Sequence, residues 1–179
     1  MGQASSDRNR EMLDEVEREV PPYVSFQRSV PRHREPILEI QLHAFGDASK
    51  KVFCAAVYAV VKQTLDFTQA LVAAKSRLAK ANLTIPRLEL VAGHMAVNLA
   101  VNVRSALERF PLSDYVYCWL DSTVILPWFN DDGEYGQFVA NRVYKMKTHK
   151  NVIWRHVPTT DNPADLGSRA QKINGIDMC

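Results

Sequence analysis

Between Leu38 and Phe45 apolar and polar residues change places at almost every step, whereas from Leu88 to Leu107 apolar residues return every third or fourth step. A period of two marks a half-buried strand and a period near 3.6 marks a helix packed along one side, so the chain carries both kinds of element in a set order. Leu38, Ile40, Leu42 and Ala44 define a first strand that ends at Gly46-Asp47. Phe53–Val61 and Phe67–Ala74 are rich in β-branched and aromatic residues and predict two more strands, antiparallel to their neighbours. Thr84 is a candidate N-cap, with Pro86 in the first turn of a long helix. Leu88, Val91, Met95, Leu99, Val103 and Leu107 form its expected packed face, and Pro111 follows its end. Tyr115–Leu120 is nearly continuous apolar sequence, the pattern of a strand buried on both faces. A short helix near Thr123–Phe129, a turn at Asp131-Asp132-Gly133 and a helix over Gln137–Lys147 come next, the last with Phe138, Val139, Val143 and Met146 on its apolar side. Val152–Val157 is a fifth strand. Asp161 or Asn162 can cap a final helix through Arg169, with Pro163 in its first turn. The order β-β-β-α-β-α-α-β-α predicts an α/β fold, with a five-stranded mixed sheet of three antiparallel strands then parallel additions and helices on both faces.

The chain has 179 residues, 46% of them hydrophobic and 23% charged, which suits one domain with a sizeable core. Its net charge of +2 is no polycation, so a nucleic-acid partner would be held by a local patch. Three cysteines, Cys54, Cys118 and Cys179, have no paired spacing, which predicts a reducing, cytoplasmic setting and argues against a zinc site. Cys54 and Cys118 lie in apolar runs and read as small core residues. No apolar stretch is long enough for a membrane span. Met1-Gly2-Gln3-Ala4-Ser5-Ser6 fits an acylation pattern, but no polybasic cluster follows it, so stable membrane association is not expected. Residues 1–36 read as a leader and connector, partly disordered, with a short amphipathic helix over 11–20 stopped by Pro21-Pro22. Residues 37–170 form the domain and 171–179 a tail.

Four acids stand at the ends of predicted elements. Asp47 closes the first strand and Asp121 the fourth; Glu89 and Asp165 are expected in the first turns of two helices. Strand ends are where open α/β sheets gather their sites. If the first and fourth strands are neighbours, Asp47 and Asp121 meet. Two carboxylates held together raise each other's pKa unless a cation neutralises them, and hard divalent cations take oxygen ligands. The competing structural reading has Glu89 and Asp165 favouring helix dipoles and Asp47 and Asp121 serving turns.

Several linked segments resemble a known family. They are Leu42-His43-Ala44-Phe45-Gly46-Asp47-Ala48-Ser49, Ala73-Ala74-Lys75-Ser76-Arg77, Leu83-Thr84-Ile85-Pro86-Arg87-Leu88-Glu89-Leu90, Asp121-Ser122-Thr123, Phe138-Val139-Ala140-Asn141-Arg142-Val143, and Trp154-Arg155-His156-Val157-Pro158 through Asn162-Pro163-Ala164-Asp165-Leu166-Gly167-Ser168-Arg169. In order, from about Ser29 to Ala170, they resemble the ribonuclease H region of Bel/Pao-type LTR retrotransposon polyproteins, often labelled Pao retrotransposon peptidase. The resemblance implies a ribonuclease H fold. It implies that Asp47, Glu89, Asp121 and Asp165 hold two Mg²⁺ ions, with Mn²⁺ an alternative, and that the RNA strand of an RNA/DNA hybrid is cut to leave a 5′-phosphate. It also implies the reverse transcriptase portion of the same polyprotein as a partner.

One departure stands out. Many relatives carry a histidine two residues after the Val-Pro that follows the fifth strand, and here that position is Thr160. His156 precedes the Val-Pro and reads as a structural strand residue. Lys75, Arg77, Lys80 and Arg87 form a basic run between the third strand and the long helix, and Lys145, Lys147 and Lys150 form another. Lys75, Arg77, Arg87 and Ser122 are the candidate substrate contacts. Trp128 and Phe129 could pack on a hybrid, although aromatics at this spacing usually serve the core. Two other readings compete. One is a degenerate or domesticated fragment that binds without cleaving. The other is an aspartic peptidase, disfavoured because neither Asp47-Ala48-Ser49 nor Asp121-Ser122-Thr123 carries the glycine that such sites need.

Overall fold

The computed structural model describes residues 36–80, 82–130, 135–169, 172–173 and 176–177. The expected helix at 11–20, the turn at 131–133 and Cys179 lie outside the described residues. In chain order the elements are β1 (Glu39–Ala48), β2 (Val52–Lys62), β3 (Phe67–Leu78), α1 (Ile85–Ala106), β4 (Leu112–Leu120), α2 (Leu126–Asn130), α3 (Gln137–Lys147), β5 (Val152–His156) and α4 (Asp165–Ser168). A 3₁₀ turn at Thr159–Asp161 precedes α4, and a small hairpin of Lys172–Ile173 with Ile176–Asp177 follows it.

The five strands form one sheet in the order β3-β2-β1-β4-β5. β1 pairs antiparallel with β2, and β2 with β3; β4 joins β1 in parallel, and β5 joins β4 in parallel. The chain must cross from the β3 edge to the far side of β1 before laying down β4, and α1 makes that crossing. Strand alternation then sorts the side chains. Ile40, Leu42 and Ala44 of β1 are buried, as are Val57, Ala59 and Val61 of β2 and Val116, Cys118 and Leu120 of β4. With Ile125, Phe129, Val139, Val143 and Met146 they make one core beneath the helices.

The buried face of α1 matches the predicted one only in part: Leu88 and Val103 are buried as expected, but the centre of the face is shifted. Leu90, Ala92, Gly93, Ala96, Val97, Ala100 and Val103 meet the core, while Val91, Met95 and Leu99 are only partly covered. The small residues let the helix lie close to the sheet, and the larger ones flank the contact. Thr84 occupies the N-cap position but makes no side-chain cap bond. β4 also departs from expectation. Val116, Cys118 and Leu120 are buried, yet Tyr117 and Trp119 are half-buried and Tyr115 is exposed. Its second face carries rings rather than a second layer of core: His43 stacks on Tyr117 at 5.0 Å, Phe45 stacks on Trp119 at 6.1 Å, and Trp119 Nε1 donates to His43 Nδ1 at 3.1 Å. A continuous apolar run therefore hid a two-sided strand, because tyrosine and tryptophan count as apolar yet tolerate partial exposure. α4 touches this second face at its upper end, through contacts with β1 and β2.

Candidate active site

The register of β1 and β4 builds the centre of the site. Gly46 pairs with Leu120, so Asp47 and Asp121 are the next residues along two adjacent parallel strands. Asp47 is 6% exposed. That adjacency is the outcome the peptidase reading could not accommodate, and it removes that reading. Gly46 sets the position of α1. A Cβ built there would stand 3.0 Å from the Ala92 carbonyl carbon and 3.1 Å from the Gly93 nitrogen, both backbone atoms. Only glycine lets the helix come this near the strand. Glu89 lies three residues before Ala92, one turn up the helix, and is thereby held over the end of β1. It falls in the second turn, since no acidic residue occupies the first turn of α1. The helix-dipole reading of Glu89 therefore fails.

Asp165 arrives from the other side. It is in the first turn of α4, whose entry is shaped by Asn162, a residue only 3% exposed. The Asn162 Oδ1 accepts from the Ala164 N–H at 3.1 Å, and its Nδ2 donates to the Gly46 carbonyl at 3.1 Å. One side chain thus shapes the turn that leads into the last helix, whose N-cap is Ala164 and not Asp161 or Asn162, and ties that turn to β1. Ser49 Oγ donates to the Ser168 carbonyl at 2.8 Å and Ser76 Oγ to the Gly167 carbonyl at 3.3 Å, fastening the same helix to the sheet. Gly167 faces Cys54 so closely that a Cβ would stand 2.4 Å from its Sγ. Gly167→Ala is expected to destabilise the fold by about 1–3 kcal/mol through overpacking. Adding Cys54→Ala removes the sulfur and is expected to recover part of that loss. Denaturant unfolding of both single variants and the double variant should give a coupling of about 0.5–3 kcal/mol, and strict additivity would refute the contact.

Asp47 and Glu89 each feel neighbouring carboxylates. Burial raises the Asp47 carboxyl above its ordinary range; the Ser168 hydroxyl pulls it back, and the charges of Asp121 and Asp165 push it further up. Burial likewise raises Glu89, opposed by a hydrogen bond to Ser122 and reinforced by Asp121 and Asp47. Each acid also has a partner of its own. Ser168 Oγ donates to Asp47 Oδ2, Thr159 Oγ1 donates to Asp121 Oδ2 at 3.0 Å, and Arg169 Nε reaches Asp165 at 2.7 Å. Among the described residues no three His, Cys, Asp or Glu side chains stand ready as a metal-holding group. By chemistry alone, a donor set of carboxylates fits a hard divalent cation.

The remaining candidates separate. Ser122 is 7% exposed and hydrogen-bonds Glu89. Lys75 and Arg77 lie on β3, which runs four residues beyond its predicted end, and they face α1 rather than a linking loop. Arg87 sits 5.5 Å from the Phe138 ring, so the basic run is divided between the two flanks of α1. Phe129 is buried and stacks on Trp154 at 4.3 Å, and Trp128 packs near Tyr135 at 5.7 Å; both belong to the core. His156 is exposed on β5, and Thr160 is exposed in the 3₁₀ turn. Sequence reading passed over Thr159 and Ser168, and saw Asn162 only as a candidate helix cap. Asn162 and Ser168 lie three residues either side of Asp165, and that spacing on a short helix was the available signal.

A five-stranded sheet in this order, with acids gathered at the β1–β4 end, defines a ribonuclease H-like domain. The family model of the Pao retrotransposon-like RNaseH-like domain matches residues 4–122, and the chain belongs to that family. Asp47, Glu89 and Asp121 fall within the match; Asp165 lies beyond it and owes its place to α4. Solved structures similar to the chain include the following ribonuclease H domains. RNase H1 from Halobacterium salinarum NRC-1 shares 14% identity over 70% of this chain and 90% of its own, with a TM-score of 0.45. The N-terminal RNase H domain of a Mycobacterium tuberculosis protein, fused to maltose binding protein, shares 14% over 73% and 90%, with a TM-score of 0.44. LC11-RNase H1, from compost and in complex with an RNA/DNA hybrid, shares 16% over 71% and 91%, with a TM-score of 0.41. No curated protein matches. No helix among the described residues is long and apolar enough to cross a membrane.

Proposed function

We propose that this domain hydrolyses the RNA strand of RNA/DNA hybrids in a divalent-cation-dependent reaction. The observation that carries the reading is the electrostatic coupling of Asp47 with Asp121, Asp165 and Glu89 at one end of the sheet. Asp47, Glu89, Asp121 and Asp165 would hold Mg²⁺, as two ions, or Mn²⁺. When bound, the ions supply Lewis-acid stabilisation of the attacking and leaving oxygens of a phosphodiester.

The chain's own residues prepare that site. Asp47, on a paired strand and 6% exposed, is the most buried of the four acids. Ser122 orients Glu89 and Thr159 orients Asp121, each by a hydroxyl that can be released at small cost. Arg169 screens Asp165 until a cation replaces it. Selection of the RNA strand falls to contacts with the 2′-hydroxyl in the minor groove. Within a family of retrotransposon domains, the reverse transcriptase portion of the same polyprotein is the natural partner, and the cytoplasm the natural setting.

A labelled RNA/DNA hybrid incubated with the full chain and Mg²⁺ is expected to be cut in the RNA strand, with single-stranded RNA and duplex DNA spared. EDTA should stop the reaction. Intact hybrid under both Mg²⁺ and Mn²⁺, with protein shown to be folded, would leave the family's fold here without its chemistry.

A further inference from the structure

A cavity of about 280 Å³ opens between β3 and the outer flank of α1. Lys75 and Arg77 line it from the strand, and His94, Asn98 and Asn102 line it from the helix. On a helix these three positions fall on one side at intervals of four, over about 12 Å of axis. No acidic residue lines the cavity. Lys75 and Arg77 meet no carboxylate partner among the described residues. Both asparagines are exposed, with amide groups free to donate. Burial, and then the charges of Arg142, Lys145 and His149, hold the His94 imidazole below the ordinary range. Phe53, the apolar floor, pairs with Ala48, the residue after Asp47. The cavity therefore begins beside the acidic end of the sheet and runs away from it.

We propose that the groove between β3 and α1 is a phosphodiester-binding subsite that grips a backbone segment of the nucleic acid away from the point of cleavage. Lys75 and Arg77 neutralise the phosphate charge; Asn98 and Asn102 donate hydrogen bonds to its oxygens. An extended polyanion suits the place better than a compact ligand, because the lining polar groups are strung along about two helical turns and the groove is open. The proposal rests on the nucleic-acid reading above and adds a second anchoring point to it. The acids repel the phosphates they would act on. A cationic groove on the next strands offsets that repulsion and fixes the direction in which the duplex lies.

The test is equilibrium binding of a fluorescent RNA/DNA hybrid to the full chain in EDTA, by anisotropy across a salt series. This reads binding without cleavage. Lys75→Ala with Arg77→Ala is expected to weaken binding about 10-fold at moderate salt and to flatten the slope of log K against log salt by about 1–2, the loss of two phosphate contacts. Asn98→Ala is expected to weaken binding while leaving the slope unchanged. Lys62→Ala, at the far end of β2, should change neither, and circular dichroism should show every variant folded. A double variant with wild-type slope, or a wild-type chain that binds no hybrid at low salt, overturns the groove. Binding with the expected slope change but no cleavage in Mg²⁺ overturns the catalytic reading and leaves the groove standing.

Discussion

Asp47→Asn is expected to slow hybrid cleavage by about 10²–10³-fold while making the metal-free protein more stable. The first effect follows from removing a charged donor from a site whose work is electrostatic, where deletion of one stabilising group costs about 10²–10³. The second follows from the direction of the Asp47 shift. Its folded pKa is raised by burial and by neighbouring carboxylates, so the ionised form is the unfavourable one in the fold. Stability from this group is fully present below its ordinary pKa and is lost as pH rises through the raised folded value. Asparagine keeps the acceptor for Ser168 and carries no charge. At pH 7 without metal the variant should melt about 2–4 °C above the wild type, the shift of ~1 kcal/mol in a domain of this size. Near pH 4 the wild-type carboxyl takes up its proton and the gap should close. Saturating Mg²⁺ should also narrow it, by stabilising only the wild type. Differential scanning calorimetry at two pH values checks the sign; a variant that melts lower at pH 7 would show that the acids are not repelling one another.

Gly46→Ala is expected to cost about 1–3 kcal/mol of stability and to lower cleavage about 10²-fold. The added methyl meets backbone at 3.0 Å and 3.1 Å, where no side-chain rotation gives relief. Helix α1 must rise off β1, and Glu89 rises with it. Unfolding and single-turnover kinetics together separate the two effects, since a purely structural change leaves the folded fraction fully active. Gly136→Ala is the control, because nothing lies within 4 Å of a Cβ there. Its effect should stay within about 1 kcal/mol, the scale of an N-cap change. Equal behaviour of the two variants would contradict the close approach of α1.

Much of the fold was legible because period is a local property. Alternation marked β1 and β2 to within a residue or two, and the 3.6 repeat placed α3 at Gln137–Lys147. Glu89 and the face of α1 were read less well. A helix with apolar residues on more than one side offers two faces, and the sequence favours the larger side chains. The sheet chose Ala92, Gly93, Ala96 and Ala100, because small residues permit the closer approach. The last helix was expected to run from Asp161 or Asn162 to Arg169 and spans four residues, since Asn162 spends its side chain on Ala164 and Gly46.

By itself the sequence determined the kinds and order of elements, the acids at their ends and the family to which the chain belongs. These depend on steric periodicity and on residue identity, both of which act over a few residues. Tertiary structure decided which acids meet, what holds each of them, and where Lys75 and Arg77 point. Asp47 is tied to Ser168 across 121 residues, and Asn162 to Gly46 across 116. Contacts at such separation exist only after strand order and register bring the segments together, and no local pattern encodes them.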